Sequence, residues 1–446
     1  MKRLDKYAEF TGEAQIRELY DLASGLENKS MVHINSTYYG GGVAEMLNSY
    51  VPLLNEAGLP TEWRLLKGGR EFFTVTKKMH DALQGMKTAF TKKDYETYET
   101  TLDNNAEFIK LNWYDLVVID DPQPCGLITR YSRQSPSFWK PMPIFLKSLN
   151  VQKKQPWAWR AHIDLSNPDR KIWAYLARYL QKYDGIILSS KKYSMPVKKP
   201  HYFIPPAIDP LSDKNRHMDE SEIHRQLEKH DINESKPLVL QVSRFDKWKD
   251  PLGVIRAFKK ARSKTGCQLV LIGSMASDDP EGEKIFNEVF REVEKNDDIR
   301  LITEQNDLLV NALQRRAAVV VQKSLREGFG LTVSEALWKG TPVVATRVGG
   351  IPLQVDDGVN GYLVRGVDDC ADRIHFLLTH PAKARELGRN GIQKVRKNFL
   401  ITRLVKDELE LFRRMTASTT EKLLYEQRRK LSSGLELMKK FLPLFS

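Results

Sequence analysis

Short apolar runs alternate with stretches of helical periodicity along this chain, which restricts it to architectures built on parallel sheets. Met31-Val32-His33-Ile34-Asn35 reads as a buried strand. The glycines Gly40-Gly41-Gly42 follow, and apolar residues then recur at helical spacing over 43–57 until Gly58. Further strands are predicted at 62–66, 116–119, 158–161 and 186–189, with helical segments between them and a polar, helix-prone lead over 1–30. A second series begins after Phe203-Ile204-Pro205-Pro206-Ala207-Ile208-Asp209-Pro210, whose prolines suit a stiff connection. It comprises strands at 238–242, 268–272, 299–302 and 318–321, and helices at 251–261, 281–294, 308–315 and 332–339. Continuous apolar strands separated by helices imply parallel sheets covered on both faces. At 446 residues the chain exceeds what one core serves. Two doubly wound, Rossmann-like α/β domains are expected, over 1–205 and 206–398, followed by C-terminal helices over 399–446, the first packing back on the N-terminal domain. Ligands of such sheets bind beyond the carboxyl ends of the strands, so both loop sets would line one central cleft if the domains stack mouth to mouth.

The net charge of +13 is compatible with nucleic acid, a membrane surface or an anionic small substrate. The basic residues are dispersed, with neither an aromatic-interleaved stripe nor zinc-finger spacing, so no nucleic-acid partner is expected. No apolar run approaches the roughly 20 residues of a membrane span, and Met1-Lys2-Arg3-Leu4-Asp5 lacks the apolar core of a signal peptide. Cys125, Cys267 and Cys370 have no paired spacing, which argues against a disulfide framework or a zinc site and for a reducing cytoplasm. The basic tail from Thr416 carries Leu431, Leu435, Leu437, Met438, Phe441 and Leu442. It suits packing against the body or a partner subunit, or a weak peripheral membrane contact.

Chemistry concentrates in Arg326-Glu327-Gly328-Phe329-Gly330-Leu331-Thr332-Val333-Ser334-Glu335, which joins two carboxylates, a glycine-bracketed turn and a helix start. Free amides and the positive end of a helix dipole can receive a phosphate or a sugar hydroxyl there, and Gly328 and Gly330 let the backbone approach. Arg244 and Lys249 follow the strand at 238–242; they are either an ordinary charged loop or, paired with the Glu327 loop, a diphosphate site. Gly40-Gly41-Gly42 satisfies neither a dinucleotide fingerprint nor a P-loop, which weakens NAD and ATP readings and leaves a tight turn or a backbone approach to phosphate. Trp157-Ala158-Trp159-Arg160-Ala161-His162-Ile163-Asp164 offers aromatics, a cation, an imidazole and a carboxylate at a strand end, suited to a sugar acceptor. Asp120-Asp121-Pro122-Gln123-Pro124 could add acceptor hydrogen bonds or form only a rigid turn.

The E-x7-E element from Glu327 to Glu335, the Arg244/Lys249 pair and the glycine loop resemble the retaining GT-B glycosyltransferases that take nucleotide-sugar donors. His33-Ile34-Asn35-Ser36-Thr37, Gly40-Gly41-Gly42-Val43-Ala44-Glu45, Asp121-Pro122-Gln123-Pro124, Trp159-Arg160-Ala161-His162-Ile163-Asp164-Leu165-Ser166 and Asp278-Asp279-Pro280-Glu281-Gly282 are more specifically similar to the trehalose glycosyltransferring synthase family. The resemblance spans residues 1–412 and implies a GT-B fold and transfer of glucose from ADP-, UDP- or GDP-glucose to glucose, giving α,α-trehalose with retention. It implies that Arg244 and Lys249 neutralise the diphosphate, that Glu327 and the backbone of Gly328, Phe329, Gly330 and Leu331 hold the donor glucose, and that Glu335 binds the ribose. Gly41 and Gly42 would reach the phosphates. His162 and Asp164 would lie near the donor sugar and acceptor, with Asp121, Gln123, Trp159 and Arg160 on the acceptor side. Fixed cations and a helix dipole can stabilise a departing diphosphate, so the mechanism requires no metal and no cofactor. A homodimer is expected. Residues 135–155 read as an insertion that reshapes the acceptor pocket, the connection before Asn311 as shortened near the base, and the tail beyond 415 has no family counterpart.

Overall fold

A computed structural model describes residues 3–26, 28–38, 41–131, 155–273, 280–294 and 296–417. Gly40, Asp278, Asp279, the expected insertion up to residue 154 and the tail from residue 418 lie outside the described residues.

The first sheet contains β1 (Met31–Asn35), β2 (Thr61–Leu65), β3 (Leu116–Asp120), β4 (Trp157–Ala161), β5 (Gly185–Leu188) and β6 (His201–Phe203). Their order is β2-β1-β3-β4-β5-β6, with every neighbouring pair parallel. The second contains β7 (Leu238–Val242), β8 (Gln268–Ile272), β9 (Ile299–Ile302), β10 (Val319–Gln322), β11 (Val343–Thr346) and β12 (Gly361–Val364). It is also all parallel, in the order β12-β11-β10-β7-β8-β9. The winding reverses between β1 and β3 in one sheet and between β7 and β10 in the other, which opens a crevice at each carboxyl edge. The expected strands are present. The structure adds β6, β11 and β12, which the sequence reading did not assign.

Both faces of each sheet are covered. Val117, Ile119, Trp157 and Trp159 join a core with residues of the helices Arg70–Leu83, Lys92–Phe108 and Arg170–Leu180. Leu116, Val118 and Ala158 point the other way, into a core shared with the helices Gly42–Ala57 and Ile401–Thr416. The last helix thus returns from the second sheet to cover the first, burying Leu404, Val405, Leu409 and Phe412. Two crossing segments run side by side between the lobes: the Ile208 N–H donates to the Phe399 carbonyl at 2.8 Å, and the Ile401 N–H to the Ile208 carbonyl at 2.9 Å. Among the described residues no helix is long and apolar enough to cross a membrane.

Candidate active site

The second lobe's site begins where β10 ends. Its Gln322, with Ser324 and Lys249, converges on one atom: Glu327 Oε2 accepts from Lys249 Nζ at 2.6 Å, Gln322 Nε2 at 3.0 Å and Ser324 Oγ at 3.0 Å. The Glu327 residue is 7% exposed, so this carboxylate is held rather than free to swing. The chain then turns through Gly330, at φ 83°, into the helix Leu331–Trp338, which has no side-chain cap and so leaves its first amides available. A side chain at Gly330 would both strain that turn and press on Glu327 Cγ at 3.1 Å.

Lys249 is presented to this carboxylate by a braced turn. Asp246 Oδ1 accepts the Lys249 N–H at 3.1 Å, and Gln241 Nε2 donates to the Lys249 carbonyl at 3.0 Å. Asp250, left-handed at φ 48°, caps the helix Pro251–Arg262 through the Gly253 N–H at 3.0 Å and binds Lys323. Arg244 leaves the end of β7 half-exposed, 3.4 Å from Asp246. Glu335, buried on the helix, accepts from Gln314 at 3.2 Å. Beside it Lys214 bridges to Glu45 of the first lobe at 2.7 Å, and the charges of Glu335, Glu45 and Asp307 overcome burial to hold the Lys214 amine well above the usual lysine range. Phe329 turns inward instead, packing on Phe399 in the second lobe's core, so only its backbone is at the loop.

The first lobe contributes residues from the ends of β3 and β4. Asp120 Oδ1 lies 2.8 Å from His162 Nε2, and its Oδ2 lies 3.0 Å from Nδ1 of His33 on β1. Burial opposes ionisation of Asp120, but the electrostatic and hydrogen-bonding influence of His33 and His162 outweighs it and holds the carboxyl well below the usual carboxylate range. Asp121, at φ 65°, accepts the His162 N–H on its Oδ1 at 2.9 Å. Asp164 accepts the Ser166 N–H at 2.9 Å and lies 3.6 Å from Arg326 of the opposite lobe. Gln123 is half-buried, and its Oε1 has no partner among the described residues.

The two edges meet. A Cβ on Gly328 would lie 1.8 Å from the His162 carbonyl oxygen, and one on Gly42 would lie 3.1 Å from Leu331 Cδ1. Tyr193 donates to the Glu327 and Gly328 carbonyls, at 2.9 and 2.8 Å, and Arg326 to Ser166 at 3.1 Å. Lys249, Glu327, Gly328, Leu331, Gly42, His162 and Asp164 are therefore gathered at one junction, with Gly41 exposed at the start of its helix. Two expected acceptor residues are not. Trp159 is fully buried in the first lobe's core, its indole N–H on the Asp121 carbonyl at 2.9 Å, so it offers no face to a sugar. Arg160 points to the opposite side of β4, where its guanidinium pairs with Glu408 of the last helix. Both are corrections to the sequence reading, and they share a cause: β4 is covered on both faces, so neither side chain had to face the cleft.

In the sequence Asp120 reads only as part of a run that could add acceptor hydrogen bonds, and His33, Glu45 and Arg326 lie within motifs without a role of their own. Lys214 was missed: nothing in its local sequence marks it, and only the fold sets it beside Glu45.

Residues 33–142 and 140–195 match the family model described as trehalose synthase, N-terminal domain, and residues 222–394 match glycosyl transferases group 1. Over 417 residues the chain is 40% identical to the trehalose synthase of Pyrococcus horikoshii, covering 92% of this chain and 96% of that one. The chain belongs to the trehalose synthase family. Another member, from Rubrobacter xylanophilus, is 41% identical over 422 residues, covering 93% of this chain and 97% of its own. Beyond the family, the structure of sucrose-phosphate synthase from Thermosynechococcus elongatus superposes with a TM-score of 0.65 at 20% identity, covering 87% of this chain and 99% of that one. The trehalose synthase family's two-lobed architecture here is thus the GT-B fold.

Proposed function

We propose that the protein transfers glucose from a nucleoside-diphosphate glucose to glucose, forming α,α-trehalose with retention at the donor carbon. The observation that carries this reading is the Lys249–Glu327 pair, set in a loop whose Gly328 touches the His162 carbonyl of the other lobe. Lys249 and Arg244 take the diphosphate, and the Lys249 cation offsets the charge that builds on the leaving group. Glu327 Oε2 is already engaged by three donors, so Oε1 is the atom left to accept from a donor hydroxyl, alongside the amides of 328–331. Glu335 takes the ribose, and Gly41 and Gly42 admit the phosphates. His162 and Asp164, with Asp121 and Gln123, face the acceptor. The meeting of the two edges supports exclusion of water, which suppresses hydrolysis of the activated sugar.

We divide the chain into a 1–205 acceptor lobe, a 206–398 donor lobe and a 399–446 return segment, and take it to act as a cytoplasmic homodimer. The three buried, unpaired cysteines support a reducing compartment.

The test is incubation of purified protein with ADP-, UDP- or GDP-glucose plus glucose. Release of nucleoside diphosphate with a non-reducing disaccharide is expected for at least one donor; no turnover with any of them overturns the reading. Cleavage of trehalose that depends on inorganic phosphate rather than nucleoside diphosphate would assign a phosphorylase instead. Light scattering gives the oligomeric state.

A further inference from the structure

Behind the cleft wall a line of polar groups descends into the first lobe. It runs from His162, just past β4, through Asp120 at the end of β3 and His33 in β1, to Tyr50 on the helix Gly42–Ala57. His33, Asp120 and Tyr50 are fully buried. Asp120 holds an imidazole on each carboxylate oxygen, His162 Nε2 at 2.8 Å and His33 Nδ1 at 3.0 Å. The Tyr50 hydroxyl lies 2.7 Å from His33 Nε2 and 3.1 Å from its Nδ1.

The proton positions follow from the acceptor at the centre. An ionised carboxylate can only accept, so each ring nitrogen facing it must carry a hydrogen. Burial, above all, keeps the Tyr50 phenol well above its usual value, so it retains its proton and donates. His33 Nδ1 is already engaged with the carboxylate, which leaves His33 Nε2 to accept from Tyr50. Beyond Tyr50 stand the buried charges of Arg160 and Glu408, and Asp120 cannot rotate its oxygens without breaking one of its two imidazole contacts.

We propose that Asp120, locked by His33 and Tyr50, is a positioning residue that holds His162 as the Nε2–H tautomer and so offers its Nδ1 to a hydroxyl of the bound sugar. The tautomer at a histidine's working nitrogen is set by the bond its other nitrogen makes. The His162 main chain is fixed as well, its N–H on Asp121 Oδ1 at 2.9 Å and its carbonyl against Gly328. Ring and backbone are therefore both determined at the point where the lobes touch. The inference rests on the glucosyl-transfer reading for its substrate, but the tautomer itself does not.

Two measurements test it. Two-bond proton–nitrogen correlation spectra of histidine-labelled full-length protein, with the His162 signals assigned by their loss in His162→Gln, should show Nε2 protonated and Nδ1 bare. A His162 protonated on Nδ1 alone overturns the proposal whatever the reaction is. Asp120→Asn keeps the shape but presents an amide that must donate to one imidazole. It should lower kcat by about ten- to a hundredfold, with the KM for the sugar donor and the affinity for nucleoside diphosphate within about twofold of the unaltered protein. His33→Gln should give a smaller loss of the same kind. An Asp120→Asn protein with unchanged kcat, or with kcat and melting temperature falling together while the His162 spectrum stays as in the parent, would reduce Asp120 to a structural hydrogen bond. If the parent shows no glucosyl transfer at all, the spectrum still decides the tautomer.

Discussion

Replacing Lys249 by alanine tests the central electrostatic argument. Its ammonium lies 2.6 Å from Glu327 Oε2, with its side chain 19% and that of Glu327 9% exposed. Two unit charges about 4 Å apart interact by about 4 kcal/mol at the effective dielectric of a protein edge, and removing one donor from a preorganised charge-stabilising site costs about 2.7 to 4 kcal/mol. Both routes arrive at a loss in kcat of about a hundred- to a thousandfold. The fold loses less, because Gln322 and Ser324 still donate to Glu327 when the lysine is gone. The assay is initial-rate nucleotide release at saturating donor and glucose, with a parallel melting curve. Combining Lys249→Ala with Glu327→Gln separates the two roles. If Lys249 served only to neutralise Glu327, adding Lys249→Ala to Glu327→Gln would cost no further rate beyond that of Glu327→Gln alone. If it also stabilises the leaving diphosphate, the double variant falls well below Glu327→Gln alone. A single variant within about tenfold of the parent rate, with its fold intact, would refute the assigned role.

The Arg160–Glu408 pair should behave as an imperfectly satisfied buried ion pair, because Arg160 Nε and Nη1 and Glu408 Oε2 have no hydrogen-bond partner among the described residues. Arg160→Met alone is expected to cost about 3 to 5 kcal/mol in denaturant unfolding, and Arg160→Met with Glu408→Leu to return most of it. Gly328→Ala should lower the melting temperature and also lower kcat about a hundredfold, since its methyl would lie 1.8 Å from the His162 carbonyl oxygen and force a main-chain shift where the lobes meet; an unchanged rate would show that the lobes are not in working contact there. Burial pushes the Lys339 amine down to about 7 from 10.5, with Glu335 opposing and Arg315 and Lys214 reinforcing the fall. Between those values the unfolded chain binds a proton that the folded chain does not, so stability should rise as pH increases from about 7 to 10.5, and Lys339→Met should flatten that slope.

Long-range partners were the part the sequence could not disclose. The E-x7-E element is legible because its glycines, carboxylates and helix start are contiguous. Lys249 and Glu327 are 78 residues apart, Asp120 and His33 are 87 apart, and Lys214 and Glu45 are 169 apart, so only the fold brings them together. The central strands were readable because burial on both faces makes them continuously apolar. That same property hid the orientation of Trp159 and Arg160: with no polar face on β4, alternation says nothing about which side meets the cleft. Among the unassigned strands β6 has a local reason: it is a three-residue edge strand with none of its residues buried, so it lacks the continuous apolar run that marked the others.

The lobes are joined unequally on their two sides, and this has a bearing on how a sugar donor enters. At the back, Ile208, Phe399, Leu400 and Ile401 are all buried, and the paired backbones of the two crossing segments hold one another in register. At the front the contacts are polar, and Arg326 with Asp164 and Ser166, Lys214 with Glu45, and the Trp248 indole N–H on Asp81 at 3.0 Å are partly exposed, while the Tyr193 hydroxyl is buried against the Glu327 and Gly328 carbonyls. Partly exposed contacts of that kind contribute at most about 1 kcal/mol each, whereas separating the apolar back would expose side chains worth about 1.5 to 3 kcal/mol apiece. Opening from the front is thus the cheaper distortion, and it pivots on the segments that cross between lobes. Such a motion would part Gly328 from the His162 carbonyl and reunite them on closing, while the imidazole stays held by Asp120 within the first lobe, so closure shuts out water and brings the donor loop to an imidazole already in place.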